Sequence, residues 1–496
     1  MPARALTLWI VCATALACSG GPRDVARASG PLDPKAALGS TAPRLAALGD
    51  RIVLSWIETD AAGGPALRFS LREGAGWSEP RTVAASPLLA VDPANVPGVI
   101  PLAGGGFAAH WSVNADASEA HARALLVATS ADGTTWSEPR SPHEKRPAID
   151  HAMASLVAAP EGNGFGVAWL DGRAGALSDY GEGGTGLYWA DATETGFAPE
   201  VALDTRVCDC CKTSAAWTSG GPVVAYRDRA DDERRDISVI TRRGGAWSKP
   251  ADVRRDGWVL TACPTNGPVV AASGERTAVA WFSGGGGEKA VRAALSTDGG
   301  ATLGPAVRLD GGDPVGRVEA ALLPDGSAAV VWLERTGNGA EVRARRVAPD
   351  GTAAPPVTVA ATSPSKKSGY PRIAATGPRD VLVAWVDTAE AKPRVRAAAV
   401  TLPWAARGRT SRSRSRRRRG RRSASRRRAS RDTAAIRRAG GRTTLRPEAA
   451  PRRRSRRSSR RGGWHRRRRR RSRSSRPRRG AERGRRGRRR SSIRRA

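Results

Sequence analysis

Short apolar runs that end in an aromatic residue recur along most of the chain. They are Val53-Leu54-Ser55-Trp56, Ala108-Ala109-His110-Trp111, Gly166-Val167-Ala168-Trp169, Val223-Val224-Ala225-Tyr226, Ala278-Val279-Ala280-Trp281, Ala329-Val330-Val331-Trp332 and Leu382-Val383-Ala384-Trp385. Their aromatics are spaced 55, 58, 57, 55, 51 and 53 residues apart. Chance does not hold seven aromatics in step, so the chain carries an internal repeat. Runs this short, bounded by Gly and Asp, predict strands, and helical periodicity is scarce.

Each unit reads as four strands. A small-residue strand comes first, as in Pro43-Arg44-Leu45-Ala46 or Pro371-Arg372-Ile373-Ala374, and the aromatic strand follows. A third strand comes next, as in 291–295 or 343–347, and a turn then leads to Trp77-Ser78-Glu79-Pro80, Trp136-Ser137-Glu138-Pro139 or Trp247-Ser248-Lys249-Pro250. Four-strand units repeated radially leave only short, protected edges. The expected fold is therefore all-β, a seven-bladed β-propeller, with a six-bladed ring plus one stray unit as the rival. The last unit ends near residue 402 without a fourth strand. Pro31-Leu32-Asp33-Pro34-Lys35 resembles Trp77-Ser78-Glu79-Pro80-Arg81, so residues near 31–38 are predicted to close the ring as its outer strand.

Charge divides the chain in two. The formal net charge is +38, yet 43 of the 84 basic residues follow Pro403, where only Asp432, Glu448 and Glu482 are acidic. The body is thus nearly neutral, and the overall charge does not argue that it binds nucleic acid. Residues 404–496 are Arg, Ser and Gly in low-complexity runs that cannot bury a core and are predicted to be disordered. If this tail exists in the cell, it is the one part suited to a nucleic acid or another polyanion. An out-of-frame translation of GC-rich DNA would read the same way. At the other end, Arg4 and the apolar run 5–17 form an export signal too short to span a bilayer comfortably. Ala15-Leu16-Ala17-Cys18 resembles a lipoprotein signal, with Cys18 the lipidated residue; cleavage after Ala17 without lipidation is the alternative. The expected organisation is a signal over 1–18, a propeller over 19–403 and a tail over 404–496. The protein would be exported, to the periplasm, the outer membrane or the medium, and touch the membrane only through the lipid.

Two turns carry a family resemblance. Ser296-Thr297-Asp298-Gly299-Gly300-Ala301-Thr302-Leu303 fits Ser-x-Asp-x-Gly-x-Thr-Trp with Leu at the end, and Ser130-Ala131-Asp132-Gly133-Thr134-Thr135-Trp136 is a version one residue shorter. Both resemble the Asp-box of sialidase-like propellers, in which Asp accepts turn hydrogen bonds and Gly permits positive φ. The run Cys208-Asp209-Cys210-Cys211, with Tyr226-Arg227-Asp228-Arg229 and Cys263-Pro264, is similar to a group of exported bacterial sialidase-like proteins.

In a propeller, the start of each first strand meets the end of each aromatic strand at one mouth of the central channel. Arg44, Glu319 and Arg372 lie at first-strand starts in neighbouring units. Two guanidinium forks beside a Glu suit a carboxylate. The resemblance implies an acidic sugar held by arginines, with a Tyr nucleophile activated by Glu and an Asp acid/base. Tyr370 precedes Arg372, but Gly369-Tyr370-Pro371 departs from the nucleophile motif, and Pro43-Arg44-Leu45 departs from Phe/Tyr-Arg-Ile-Pro. A second set sits two residues after each aromatic: Glu58, Val113, Asp171, Asp228, Ser283, Glu334 and Asp387. These are expected to cap turns and pair with Arg173, Arg229 and Arg335, or to form a polar collar for a cation or sugar.

Four cysteines besides Cys18 fall in the mature body. In an oxidising compartment Cys208 or Cys211 is expected to bridge to Cys263 and staple two blades, with Cys210 completing the set. The alternative is a copper or zinc site formed by these thiols with His151. His110 is expected to be packed. The function these residues favour is a ligand-binding or scaffolding module at the cell envelope, its partner a carbohydrate or an envelope protein. The rival functions are an exo-sialidase-type glycoside hydrolase and a metal-binding propeller.

Overall fold

The computed structural model describes residues 27–115, 122–144, 149–174, 184–193 and 195–404. The segment expected to be an export signal, with Cys18, and the tail from residue 405 lie outside the described residues. Seven antiparallel sheets follow one another along the chain. The first blade is built from Thr41–Leu48, Arg51–Thr59, Pro65–Glu73 and Arg81–Ala85, and the third from His151–Ala158, Phe165–Asp171, Thr185–Asp191 and Val201–Val207. The innermost strands touch in sequence: Thr41–Leu48, Gly98–Pro101, His151–Ala158, Ser214–Thr218, Val269–Ser273, Pro314–Leu322 and Arg372–Ala375, which returns to Thr41–Leu48. The ring therefore has seven blades, and the six-bladed alternative is excluded.

The repeated aromatics form the glue between blades. Trp56, Trp169, Trp281 and Trp332 are fully buried, and Tyr226 nearly so. They pack across blade boundaries: Trp56 sits with Leu382, Ala384 and Val395 of the last blade, and Trp332 with Ala280, Phe282 and Val291 of the fifth. Each large buried side chain contributes about 1.5–3 kcal/mol relative to exposure. The indole N–H then needs a partner. Residues i and i+2 share a face of a strand, so the carboxylates two places on are within reach. Trp56 Nε1 donates to Glu58 (2.7 Å), Trp169 to Asp171 (3.1 Å) and Trp332 to Glu334 (2.6 Å). In the fifth blade, where Ser283 stands at that place, Trp281 donates instead to Asp256 (2.7 Å). Glu58 and Glu334 also accept backbone N–H groups from Ala37 and from Gly311 and Asp313, and Asp171 takes Arg173. These three acids hold indoles and turns, and Arg335 pairs with Asp313, not with a member of the set.

The turns at Ser130 and Ser296 close as Asp-centred loops. Asp132 Oδ1 accepts from the N–H of Thr134 and Thr135, and Asp298 Oδ1 from that of Thr302. Gly133 (φ +73°) presses against the Phe69 ring, where a Cβ would lie 3.0 Å from it, and Trp136 meets Phe69 edge-on at 6.0 Å.

The closing strand is Arg27–Leu32, antiparallel to Arg394–Thr401 of the last blade, with Arg27 opposite Thr401 and Leu32 opposite Ala397. It lies a few residues earlier than the 31–38 expected. Past Leu32 the chain leaves the sheet: Asp33 turns to Arg394 (3.4 Å), and Lys35 pairs with Glu79. The second blade also differs from expectation. Among the described residues it has three strands, and the segment after Trp136 contributes only an isolated bridge, Val127 to Arg140.

A chain beginning at Asp33 is expected to unfold at least about 5 °C below one beginning at Ser19, because Arg394–Thr401 becomes an unpaired edge. Differential scanning calorimetry of the two checks this, and an unchanged midpoint would contradict the closure.

Candidate functional site at the hub

Three first strands carry an irregularity at the same place. Ala42, Met153 and Arg317 adopt left-handed backbone (φ +52°, +53° and +57°), and each stands two residues before a channel-facing position: Arg44, Ser155 and Glu319. The strand register shifts at all three. A bulge re-aims the side chain that follows it. Left-handed backbone at a non-glycine residue costs of order 1–3 kcal/mol. Three of the six left-handed non-glycine residues among those described thus stand around the channel.

Arg44, Lys212, Glu319 and Arg372 line a cavity of about 100 Å³ at the hub, with Ser155 and Ser214 among its polar walls. Arg372 donates through Nη1 to Glu319 Oε2 and through Nε to the Pro43 carbonyl (2.8 Å). Lys212 Nζ reaches the same Glu319 oxygen at 3.4 Å. Arg44 donates to the Leu156 carbonyl at 3.3 Å. Its stem needs Gly98, where a Cβ would fall 1.9 Å from Arg44 Cδ. Two cations therefore touch one carboxylate, and Arg44 stands near it as a third. Burial is the largest influence on Arg44 and, with Arg372 beside it, pulls its pKa down to about 10. Burial likewise brings Lys212 down to about 8, against the attraction of Glu319. Glu319 is held below the usual carboxylate range because Lys212, Arg372 and Arg44 outweigh its desolvation. The sequence brought out Arg44, Glu319 and Arg372, and the structure brings them together. Lys212 and Gly98 were missed, although Lys212 also stands just before a first strand.

Tyr370 is buried next to this cluster, with Lys212 Nζ 5.4 Å and the Arg372 guanidinium 5.6 Å from its ring centre. Its hydroxyl donates to the Thr265 carbonyl (2.7 Å), and burial pushes its pKa upward. A phenol so placed donates to a backbone carbonyl and not to a carboxylate base, while the Glu319 oxygen is taken by Arg372 and Lys212.

The cysteines sit one step around the mouth. The disulfide joins Cys210 to Cys263, with Cα atoms 6.0 Å apart. The expected bridge from Cys208 or Cys211 is thereby corrected: both are free thiols, buried, with sulfurs 3.5 Å apart. Arg235 donates to Cys208 Sγ at 3.2 Å. Burial would raise the Cys208 thiol, but Cys211, Arg235 and Arg227 outweigh it and bring it to about 7, whereas burial raises Cys211. The sulfurs of Cys208, Cys210 and Cys211 lie within 4.8 Å of one another, a cluster that could hold a metal.

His151 is not part of that cluster. Its ring stacks on His143 (centroids 3.6 Å apart), its Nε2 lies 3.4 Å from Asp171, and its Nδ1 meets the Arg123 carbonyl. His143 is wired as the neutral form: Nε2 accepts the Leu125 N–H (3.2 Å) and Nδ1 faces the Glu144 carbonyl (2.8 Å). Burial, with His151 beside it, lowers its pKa to about 4. His110, packed as expected, is lowered by burial and by Arg44 to about 3.

No family model matches the chain, and no curated protein matches it. Solved structures similar to it include the Hadza microbial sialidase Hz136, at 14% identity over 68% of this chain and 73% of that one, with a TM-score of 0.44. A GH93 α-L-arabinofuranosidase of Fusarium graminearum matches at 15%, over 61% and 91%, with 0.43. A protein of unknown function from Dyadobacter fermentans matches at 16%, over 62% and 94%, with 0.42. None of these likenesses assigns a family, an activity or a residue role here.

Histidines with a folded pKa below the unfolded value of about 6.5 stabilise fully above that pH and progressively less as pH falls toward 4. The thermal midpoint is expected to fall across that window, and His143→Gln should remove part of the slope. A pH series of thermal unfolding reads both, and parallel slopes for the two chains would contradict the assignment to His143.

Proposed function

We propose that this propeller is an exported ligand-binding module at the cell envelope whose hub takes the carboxylate of a small acidic ligand. One observation carries the reading: Arg44, Lys212 and Arg372 converge on Glu319, leaving the hub with two positive charges in excess. In a poorly solvated cavity such charges attract an anion far more than they do in water, and arginine forks match a carboxylate bidentately. A volume of about 100 Å³ suits an anionic group, not a whole sugar ring, so the remainder of the ligand rests at the mouth. The apolar run after Arg4, with Cys18 behind it, supports export and a lipid anchor. A carbohydrate acid is the favoured partner class, and an acidic side chain of an envelope protein offers the same chemistry.

The hydrolase reading is less favoured because the Tyr370 hydroxyl is committed to a carbonyl. A copper or zinc centre on the cysteines would need Cys210 released from Cys263.

Isothermal titration with N-acetylneuraminate and glucuronate, against glucose as the neutral control, tests the reading. The acids should bind and glucose should not. Lys212→Met should weaken binding roughly tenfold, the loss of one charge-assisted hydrogen bond, with the thermal midpoint confirming a folded chain. Equal affinity for glucose, or release of the fluorophore from a fluorogenic sialoside, would overturn it.

A further inference from the structure

Four sulfurs lie together where the third blade passes into the fourth and the fourth into the fifth. Cys208 Sγ stands 3.8 Å from Cys210 Sγ, one end of the disulfide, and 3.5 Å from Cys211 Sγ. A buried structural cysteine in apolar surroundings is inert. Cys208 is buried differently: the Arg235 guanidinium, itself almost wholly buried, touches its sulfur, and Arg227 adds a second charge. A backbone hydrogen bond from Cys208 N–H to the Arg227 carbonyl (3.0 Å) fixes the loop in this position. A nucleophilic sulfur, a disulfide within van der Waals contact and a further thiol beside both, with the sulfurs of Cys208, Cys210 and Cys211 within 4.8 Å of one another, are the parts that thiol–disulfide exchange requires.

We propose that the four cysteines form an internal exchange site, in which Cys208 attacks and Cys211 resolves, moving the bond from Cys210–Cys263 to Cys208–Cys211. In the first step the Cys208 thiolate attacks Cys210 Sγ. The Cys208–Cys210 bond forms, the Cys210–Cys263 bond breaks, and Cys263 leaves with the electron pair and takes a proton. In the second, the Cys211 thiolate attacks Cys208 Sγ. The Cys208–Cys211 bond forms, and Cys210 leaves and is protonated. The two protons given up by Cys208 and Cys211 end on Cys263 and Cys210, so the exchange is redox-neutral and needs no outside oxidant or reductant. Its product is an unstapled pair of loops with a half-buried Cys263 thiol at the mouth. Cys263 Sγ lies 3.2 Å from Thr265 Oγ1, and the Thr265 carbonyl holds Tyr370, so the staple that moves is the one next to the hub.

Mass spectrometry of the full chain reads both forms. Trypsin places Cys208, Cys210 and Cys211 on peptide 207–212 and Cys263 on peptide 256–276. After incubation near pH 8, acid quenching and alkylation of the denatured chain, the starting form gives the two peptides cross-linked and carrying two labels. The exchanged form gives them separate, with one label each, and a bond inside 207–212. Both forms are expected, with label on Cys263 appearing at least about tenfold more slowly near pH 5, where the thiolate is scarce. Cys208→Ser should stay cross-linked. Cys211→Ser should stop at the Cys208–Cys210 bond, leaving 207–212 unlabelled and 256–276 labelled. A native chain that remains wholly cross-linked after prolonged incubation overturns the proposal without reference to any variant. So does one that arrives with four labels and no bond, the pattern of a reduced or metal-held cluster.

Discussion

Seven wedge-shaped sheets must fit a full turn around one axis, and everything else in this molecule follows from that closure. Each blade is held to the next by its buried aromatic, and the last is held to the first by packing around Trp56 and by the strand Arg27–Leu32. The chain's first described segment and its last strand thus share one sheet. Closure fixes the spacing of the first strands at the hub, so whatever side chains stand at their starts are pressed toward the axis whether or not their charges agree. Arg44, Lys212 and Arg372 are like charges in a cavity of about 100 Å³, with Glu319 alone to offset them. Burial lowers the pKa values of Arg44 and Lys212, and the neighbouring Arg372 lowers both further.

A stable fold does not need this arrangement. Replacing buried ionic groups by apolar residues of similar volume is often neutral or stabilising. Here the chain accepts uncompensated charge at the hub, together with left-handed backbone at Ala42, Met153 and Arg317 around it. Departures from local rules that coincide on one set of strands around a channel mark a functional site more often than a structural one. The same reasoning removes three acids of the collar from consideration. Glu58, Asp171 and Glu334 obey local rules, each sitting on the face of its own tryptophan and satisfying its indole.

The period of the aromatics made the fold legible, because each one occupies the same wedge between blades. Arg44, Glu319 and Arg372 were legible for a related reason: position within the repeat fixes the end of the channel at which a residue stands. What escaped was side-chain direction. A bulge shifts which residue faces the axis, and nothing in Ala42 or Arg317 announces one. Lys212 was hidden by the cysteines before it. Within Cys208-Asp209-Cys210-Cys211 the spacing does not say which sulfur faces Cys263, and the loop turns Cys210 to it. His143 lies in a loop whose path only the fold reveals, so its stacking on His151 had no sequence signal. The indole pairing, by contrast, was available in principle, since residues two apart on a strand share a face.

The cysteine loop and the charged hub are closer than their chemistry suggests. One peptide bond separates Cys211 from Lys212, and Lys212 is one of the two cations that touch Glu319. Cys263 contacts Thr265, which holds Tyr370, whose ring lies beside Lys212 and Arg372. A change in sulfur bonding at 208–211 therefore acts on the backbone that aims Lys212, and a change at Cys263 acts on the residue packed against it. Lys212 contributes part of the hub's positive excess through a single contact of 3.4 Å to Glu319, whereas Arg372 is additionally tied to the Pro43 carbonyl. Of the hub cations it is the one whose position the sulfur chemistry next to it can most readily alter, so on the proposed reading the hub's affinity for an anion depends on the cysteine loop as well as on the channel.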